Sequence, residues 1–235
     1  MNFSMKRVNA IFHKDFKDIS RNSAVSVTAL MPLILAFIYG KMGDLSIDMH
    51  YMIINFTLVT VGSFVQCSLI AEEKEKNTLR GLMLSPASTL EILGGKSLLS
   101  TIASMIIVVF GIMLTGYRPE HVVVIAVAIL FTSLFFIGLG TLLGLLAKSV
   151  MEASVLVLPF MFIFGFGSMF SMFTDKYPIL KVMEYTPNSQ LLTIAQKVES
   201  GIGIGGVFPN LGIIALWIIV ISFLTVVIFK KRMAD

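Results

Sequence analysis

Residues 49–71 read MHYMIINFTLVTVGSFVQCSLIA, and residues 72–96 continue without a break as EEKEKNTLRGLMLSPASTLEILGGK. The first half has no Asp, Glu, Lys or Arg, whereas the second opens with five charged residues in a row. A helix needs about 20 apolar residues to cross roughly 30 Å of hydrocarbon, because each residue rises ~1.5 Å and every backbone polar group must be bonded internally. The stretch 49–71 therefore reads as a membrane-spanning helix that emerges into water at Glu72. Residues 23–40, 97–117, 121–147, 153–174 and 200–229 are likewise free of those four residue types, which predicts an all-α polytopic protein with six transmembrane helices. The sixth is expected to be helical only from about Leu211, since Gly201, Gly203, Gly205, Gly206 and Pro209 disfavour helix.

Composition agrees with a bilayer as solvent. The chain of 235 residues is 56% hydrophobic and 14% charged, with a mean hydropathy of +0.90, whereas soluble domains are about 25% charged. No cleavable signal peptide is expected, because the first apolar run follows 22 polar or amphipathic residues and lacks an early small-residue cleavage site. Cys67, the single cysteine, excludes an intrachain disulfide and a thiol metal cluster and reads as a small apolar filler.

Orientation follows from Lys and Arg, because basic loops stay on the cytoplasmic side. Five fall in the N-terminal segment (Lys6, Arg7, Lys14, Lys17, Arg21), four in 72–96, one in 148–152 and three at the C-terminus, thirteen in all. The opposite side holds five, at Lys41, Arg118, Lys176, Lys181 and Lys197. Both termini are thus expected on the cytoplasmic side of the membrane. The formal charge of +4 is largely this bias, so a nucleic-acid partner is not needed to explain it.

Three segments flank the spans. In 1–22, Met5, Val8, Ile11, Phe12, Phe16 and Ile19 share one helical face and Lys6, Arg7, Lys14 and Lys17 the other, with Asp15 interrupting the apolar side. This predicts an amphipathic helix in the interface, in contact with lipid headgroups. In 72–96 the charged run extends the second helix, and Leu79, Leu82 and Met83 form one side of a short helix with Arg80 on another. Ser85 and Pro86 end it. Ser88 and Glu91 have the spacing of a capping box, so a new helix begins there. In 175–210, two amphipathic pieces around 177–184 and 189–198, divided by Thr186 and Pro187, predict a small helical hairpin packed into the outer leaflet or over a cavity.

The spans hold little that chemistry could use. None contains a carboxylate or a basic residue, and His13, His50 and His121 lie at helix ends or in the leader. That argues against a metal site, an intramembrane hydrolase or a carboxylate proton relay. Gly201, Gly203 and Gly206 match G-x-G-x-x-G without the strand and helix that a dinucleotide site requires. Gly95, Lys96 and Ser97 resemble the end of a phosphate loop whose first glycine would fall at Leu90. No nucleotide or catalytic motif results. Asn55, Gly62, Ser63 and Gln66 lie within about 100° of arc on the second span. This polar stripe suits either interhelical hydrogen bonding or the border of a transport path. Phe160, Phe162, Phe164, Phe166, Phe170 and Phe173, with Met161, Met169 and Met172, give the fifth span an adaptable apolar surface, for greasy ligands or for lipid. Gly140 and Gly144 form a G-x-x-x-G read as close packing within the chain.

The run Glu72-Glu73-Lys74-Glu75-Lys76-Asn77-Thr78-Leu79-Arg80-Gly81-Leu82-Met83-Leu84-Ser85-Pro86, followed by Glu91-Ile92-Leu93-Gly94-Gly95-Lys96, resembles the cytoplasmic loop of type 2 ABC-exporter permeases. In that family acidic residues close the second helix, Gly-Thr-Leu begins the coupling helix, Ser-Pro or Thr-Pro ends it, and Gly-Lys opens the third helix. Asn77 stands where the glycine is usual. The whole plan is similar too, including Tyr185-Thr186-Pro187 in the outer hairpin.

The resemblance implies a single permease domain over 1–235 that pairs with a second copy as a homodimer. It implies that each copy rests on a separate ABC ATPase subunit, which binds ATP and Mg. Coupling residues would be Glu72, Glu73, Glu75, Lys76, Asn77, Thr78, Leu79, Arg80, Leu82, Met83 and Leu84, with a second contact at 148–152. Asn55, Ser63, Gln66, Phe160 and Phe164 would border the path of a hydrophobic or amphipathic substrate leaving the cell. An ion-coupled transporter or channel without an ATPase, and a membrane scaffold or immunity protein, are the alternatives.

Single cysteines at Lys76 and Lys181, after replacement of Cys67, should respond oppositely to a membrane-impermeant thiol reagent in intact cells. Only the Lys181 position should label; equal labelling contradicts the orientation.

Overall fold

The computed structural model describes residues 4–78, 81, 85, 87–167 and 176–234, and no strand occurs among them. Eight α-helices are described: α1 (Met5–Arg21), α2 (Ser23–Gly40), α3 (Ile47–Glu75), α4 (Thr89–Thr115), α5 (Val122–Leu146), α6 (Val150–Gly165), α7 (Pro187–Glu199) and α8 (Phe208–Ala234). A 3-10 helix, Pro178–Tyr185, precedes α7, and a second, Ile204–Val207, precedes α8.

α3 is the axis of the fold. Of its most apolar stretch 94% is buried within the chain, against 50% for α5, 33% for α4 and 17% for α8. α4, α5, α6 and α7 all pack on it, while α8 packs mainly on α5 and α2 mainly on α4. Small residues allow the tightest approach. A Cβ at Gly144 would stand 2.7 Å from both the Cys67 carbonyl and Ile70 Cβ, and Gly140 faces the Ser63 backbone in the same way. The G-x-x-x-G of α5 is thus spent on packing inside the chain, and the Cys67 side chain is buried beside it.

Local sequence sets the helix starts. Ser88 Oγ accepts the Glu91 N–H at 3.2 Å while the Glu91 carboxylate accepts the Ser88 N–H at 2.6 Å, so the expected capping box opens α4. Ser149 caps α6 through the Glu152 N–H at 3.2 Å. α8 starts at Phe208, earlier than the expected Leu211. Pro209 sits in the first turn, where a missing N–H costs nothing because no carbonyl precedes it to bond.

Among the described residues four helices, α3, α4, α5 and α8, are long and apolar enough to cross a membrane, and a fifth span arises if the bent pair α1 and α2 is taken as one. α2 runs as an 18-residue helix, and α6, at 16 residues, covers the first part of the expected 153–174. Phe170, Phe173, Met169 and Met172 lie outside the described residues. The 3-10 helix Pro178–Tyr185 and α7 lie on either side of Thr186.

The N-terminal segment requires a correction. Asp15 does not spoil a lipid-facing side. With Val8 and Ile11 it forms the side buried against α4, while Met5 and Phe16 remain exposed. α1 is bent by 79° from the rest of the pair.

Candidate functional site at the charged end of α3

Lys96, one turn inside α4 beyond the capping box, is fully buried. Its ammonium donates to Asp15 Oδ1 at 3.0 Å, Asp15 Oδ2 at 3.1 Å and Glu73 Oε1 at 3.0 Å. Lys14 adds a second cation, bonded to Glu73 and 3.6 Å from Asp15 Oδ1. Lys14 also lies 3.3 Å from Asp18 Oδ2, so three carboxylates and two ammoniums meet where α1, α3 and α4 converge. Gly95 makes the approach possible: a Cβ there would stand 3.0 Å from Ile11 and 3.1 Å from the Val8 carbonyl. The same helix pair is pinned at its far end, where Glu91 accepts the Ser4 N–H at 2.5 Å and Arg7 Nη1 at 3.2 Å.

Burial pushes the Asp15 carboxyl above its ordinary range, with Lys96 and then Lys14 pulling against it. Burial alone would lower the Lys14 ammonium, but Glu73 beside it carries it above its ordinary value. Removing one member of such a set strands a buried charge, which costs about 3–5 kcal/mol.

The charged run at the end of α3 sends each side chain to a different neighbour, since successive residues point about 100° apart on a helix. Glu73 holds α1 and α4. Lys74 donates to the Leu145 carbonyl at 2.6 Å and to the Ala147 carbonyl, capping the end of α5. Glu75 Oε2 accepts the Val150 N–H at 2.9 Å at the start of α6. Glu72 pairs with Lys76 on the exposed side.

Asn77 then takes φ = +56°, a left-handed conformation that glycine adopts freely and that asparagine tolerates better than most residues. This explains how Asn stands at a position where Gly is usual. Thr78 Oγ1 returns to Glu73 Oε2 at 2.5 Å, which locks the first residue after the turn to the ion cluster. Gly81 is helical and exposed. Leu79, Arg80, Leu82, Met83 and Leu84 lie outside the described residues.

The polar stripe is buried and bonded within the chain. Gln66 donates to Thr141 Oγ1 at 2.9 Å and accepts from Ser100 Oγ at 2.6 Å, clamping α3 between α5 and α4. Ser63 donates to the Phe136 carbonyl at 2.7 Å, and Asn55 to the Asn188 carbonyl at 3.2 Å. Between Asn55 and Gln66 the helix is π over Leu58–Val65, so constant 100° arithmetic does not carry from one to the other. Phe164 is buried on Phe135 and Phe136, with centroids at 5.7 and 5.5 Å, and Phe160 stacks on Phe164 at 6.4 Å. Phe162 faces outward. Sequence reading missed the Lys96 and Asp15 pair, although a carboxylate interrupting an apolar stripe was the signal for it. The Ser100 and Thr141 partners of Gln66 carried no such signal.

Residues 45–227 match the family model described as ABC-2 family transporter protein. No curated protein matches the chain.

Lys96→Met should lower the stability of the detergent-solubilised chain by about 3–5 kcal/mol. The double variant Lys96→Met with Asp15→Leu should lose less than the single one, because it removes one of the stranded charges. Equal or additive losses in equilibrium unfolding contradict a coupled buried pair.

Proposed function

We propose, since the chain belongs to the ABC-2 transporter family, that it is the multi-pass permease of an ATP-driven exporter, worked by a separate ABC ATPase that the family implies. The observation that carries this reading is the fastening of one charged run, Glu72 to Lys76, to α1, α4, α5 and α6 at the base of the segment 77–86. A push on that segment reaches four helices through hydrogen bonds and ion pairs. Such convergence suits force transmission better than passive support.

In this reading the chain crosses the membrane six times, with α2 and α6 supplying the two spans shorter than the rest. Both termini and the segment 72–96 face the cytoplasm, where an ATPase can reach them, on the strength of the Lys and Arg distribution. Leu79, Leu82 and Met83 dock in the ATPase, since burying each is worth about 1.5–3 kcal/mol. Glu75, Lys76 and Arg80 orient the contact, and Lys148 to Glu152 makes a second one. The permeases pair as a homodimer. The path for a hydrophobic or amphipathic substrate runs beside α3 and α6, bordered by Phe160 and Phe164. Asn55, Ser63 and Gln66 lie along it on α3, where their bonds tie α3 to α4, α5 and α7. ATP and Mg belong to the partner, and this chain carries out no hydrolysis.

A Leu82→Asp change should abolish copurification of the ATPase, or leave it bound while hydrolysis no longer drives transport. A variant expressed at the normal level that binds the ATPase and transports at the parental rate contradicts the proposal.

A further inference from the structure

The middle of α3 departs from α geometry. Over Leu58–Val65 its backbone is π-helical, 8 residues long, and every one of them is buried. In a π turn the N–H reaches back five residues instead of four, so a stretch of this length holds about one residue more than α geometry would place there. The flanks are ordinary α-helix, and each is fastened separately. On the side of the charged run, Gln66 is clamped by Thr141 and Ser100. On the other side, Asn55 donates to the Asn188 carbonyl at 3.2 Å. The surplus residue therefore sits between two fixed registers.

The neighbouring helix is shaped around it. A Cβ at Gly140 of α5 would stand 2.8 Å from Ser63 Cα and would collide with the Ser63 carbonyl, so the widened backbone lodges in the notch that a glycine leaves. Ser63 Oγ in turn donates to the Phe136 carbonyl of α5 at 2.7 Å.

A second observation concerns Thr60. Thr57, Thr101, Thr132, Thr141 and Thr225 lie in α-helical stretches, and each donates to the carbonyl four residues earlier at 2.7–2.9 Å. Thr60 lies inside the π segment, is 0% exposed, and its hydroxyl has no partner. A buried hydroxyl left unpaired is a cost that the surrounding packing must hold in place. The carbonyl four residues before it is that of Phe56.

We infer that Leu58–Val65 is a register switch built into α3. In the form seen here the surplus residue is stored as a π turn against Gly140. In the other form the segment is α-helical, Thr60 Oγ1 bonds the Phe56 carbonyl, and the two flanks of α3 are turned relative to each other, which takes Asn55 off α7. The use of the switch in transport rests on the permease reading above, since a push on the charged run would drive it, but the two forms belong to the chain alone.

The test uses the purified whole chain in detergent and no ATPase, so its failure leaves the permease reading standing, and failure of the Leu82→Asp experiment leaves the switch standing. Deletion of Val61 removes the surplus residue while both flanks keep their registers, so that chain should fold and melt within about 4 °C of the parent. Deletion of Ile54, equally buried but in the α-helical flank, should lower the melting temperature by at least about 10 °C. Thr60→Val should raise the melting temperature of the parent, where it removes an unpaired hydroxyl, and lower that of the Val61 deletion, where it removes a bonded one. Amide exchange across residues 58–66, read by mass spectrometry, should be at least about tenfold faster in the parent than in the deletion, because only the parent passes between two forms. A Val61 deletion as damaging as that of Ile54, a Thr60→Val effect of the same sign in both chains, or equal exchange in the two overturns the proposal.

Discussion

The ammonium of Lys96, buried and held between Asp15 and Glu73, is the constraint on which the charged end of the molecule depends. A lysine inside a helix that otherwise faces lipid and protein is stable only with its charge matched. The match comes from two other helices, so α1, α3 and α4 cannot part without exposing or stranding a charge. Lys14 adds a second cation, shared with Asp18, and Thr78 ties in the chain beyond the turn. The cluster converts a set of apolar helices, which could slide past one another at little cost, into a unit with one arrangement at this end.

At the opposite end the fastening is softer. Among the described residues α7 and the 3-10 helix are held by hydrogen bonds and no ion pair, including Asn210 on Gln190, Trp217 on the Tyr185 carbonyl, Lys197 on Asn210 Oδ1, and Tyr117 reaching Glu199 at 3.0 Å. Among the described residues, buried polar atoms of His50, Asn55, Thr60, Ser68 and Asn188 are left without partners, spread along α3 and at the start of α7. The ion pairs of the described residues thus gather at one end of the fold, while the unsatisfied dipoles run along α3 to the other.

Much of this was legible in the amino-acid order. Hydropathy located the long helices, because each must satisfy its own backbone in lipid, and Ser88 with Glu91 announced the start of α4 because a capping box is local. The start of α8 was misjudged because Pro209 was weighed as a breaker rather than as a first-turn residue. Asp15 was read as a blemish because a single helix shows its own faces and not what covers them. Its partner Lys96 is eighty-one positions away, and only the three-dimensional approach permitted by Gly95 brings them together. The polar stripe was visible, but the identity of its partners Ser100 and Thr141 depends on packing that no local pattern encodes. Asn77 looked like a departure from a glycine and proved compatible with the left-handed turn that glycine would make.

The central claim is that the ion cluster makes α1 and the beginning of the segment after Asn77 one mechanical body. Spin labels at Lys17 on α1 and at Gly81, in a chain whose Cys67 is replaced, report the separation of the two by pulsed electron resonance. In the complex with the ATPase, the distance distribution should stay the same with and without bound nucleotide, even as a label pair from Gly81 to the outer helix α7 changes. A shift of the Lys17 to Gly81 distance on nucleotide binding would contradict the account.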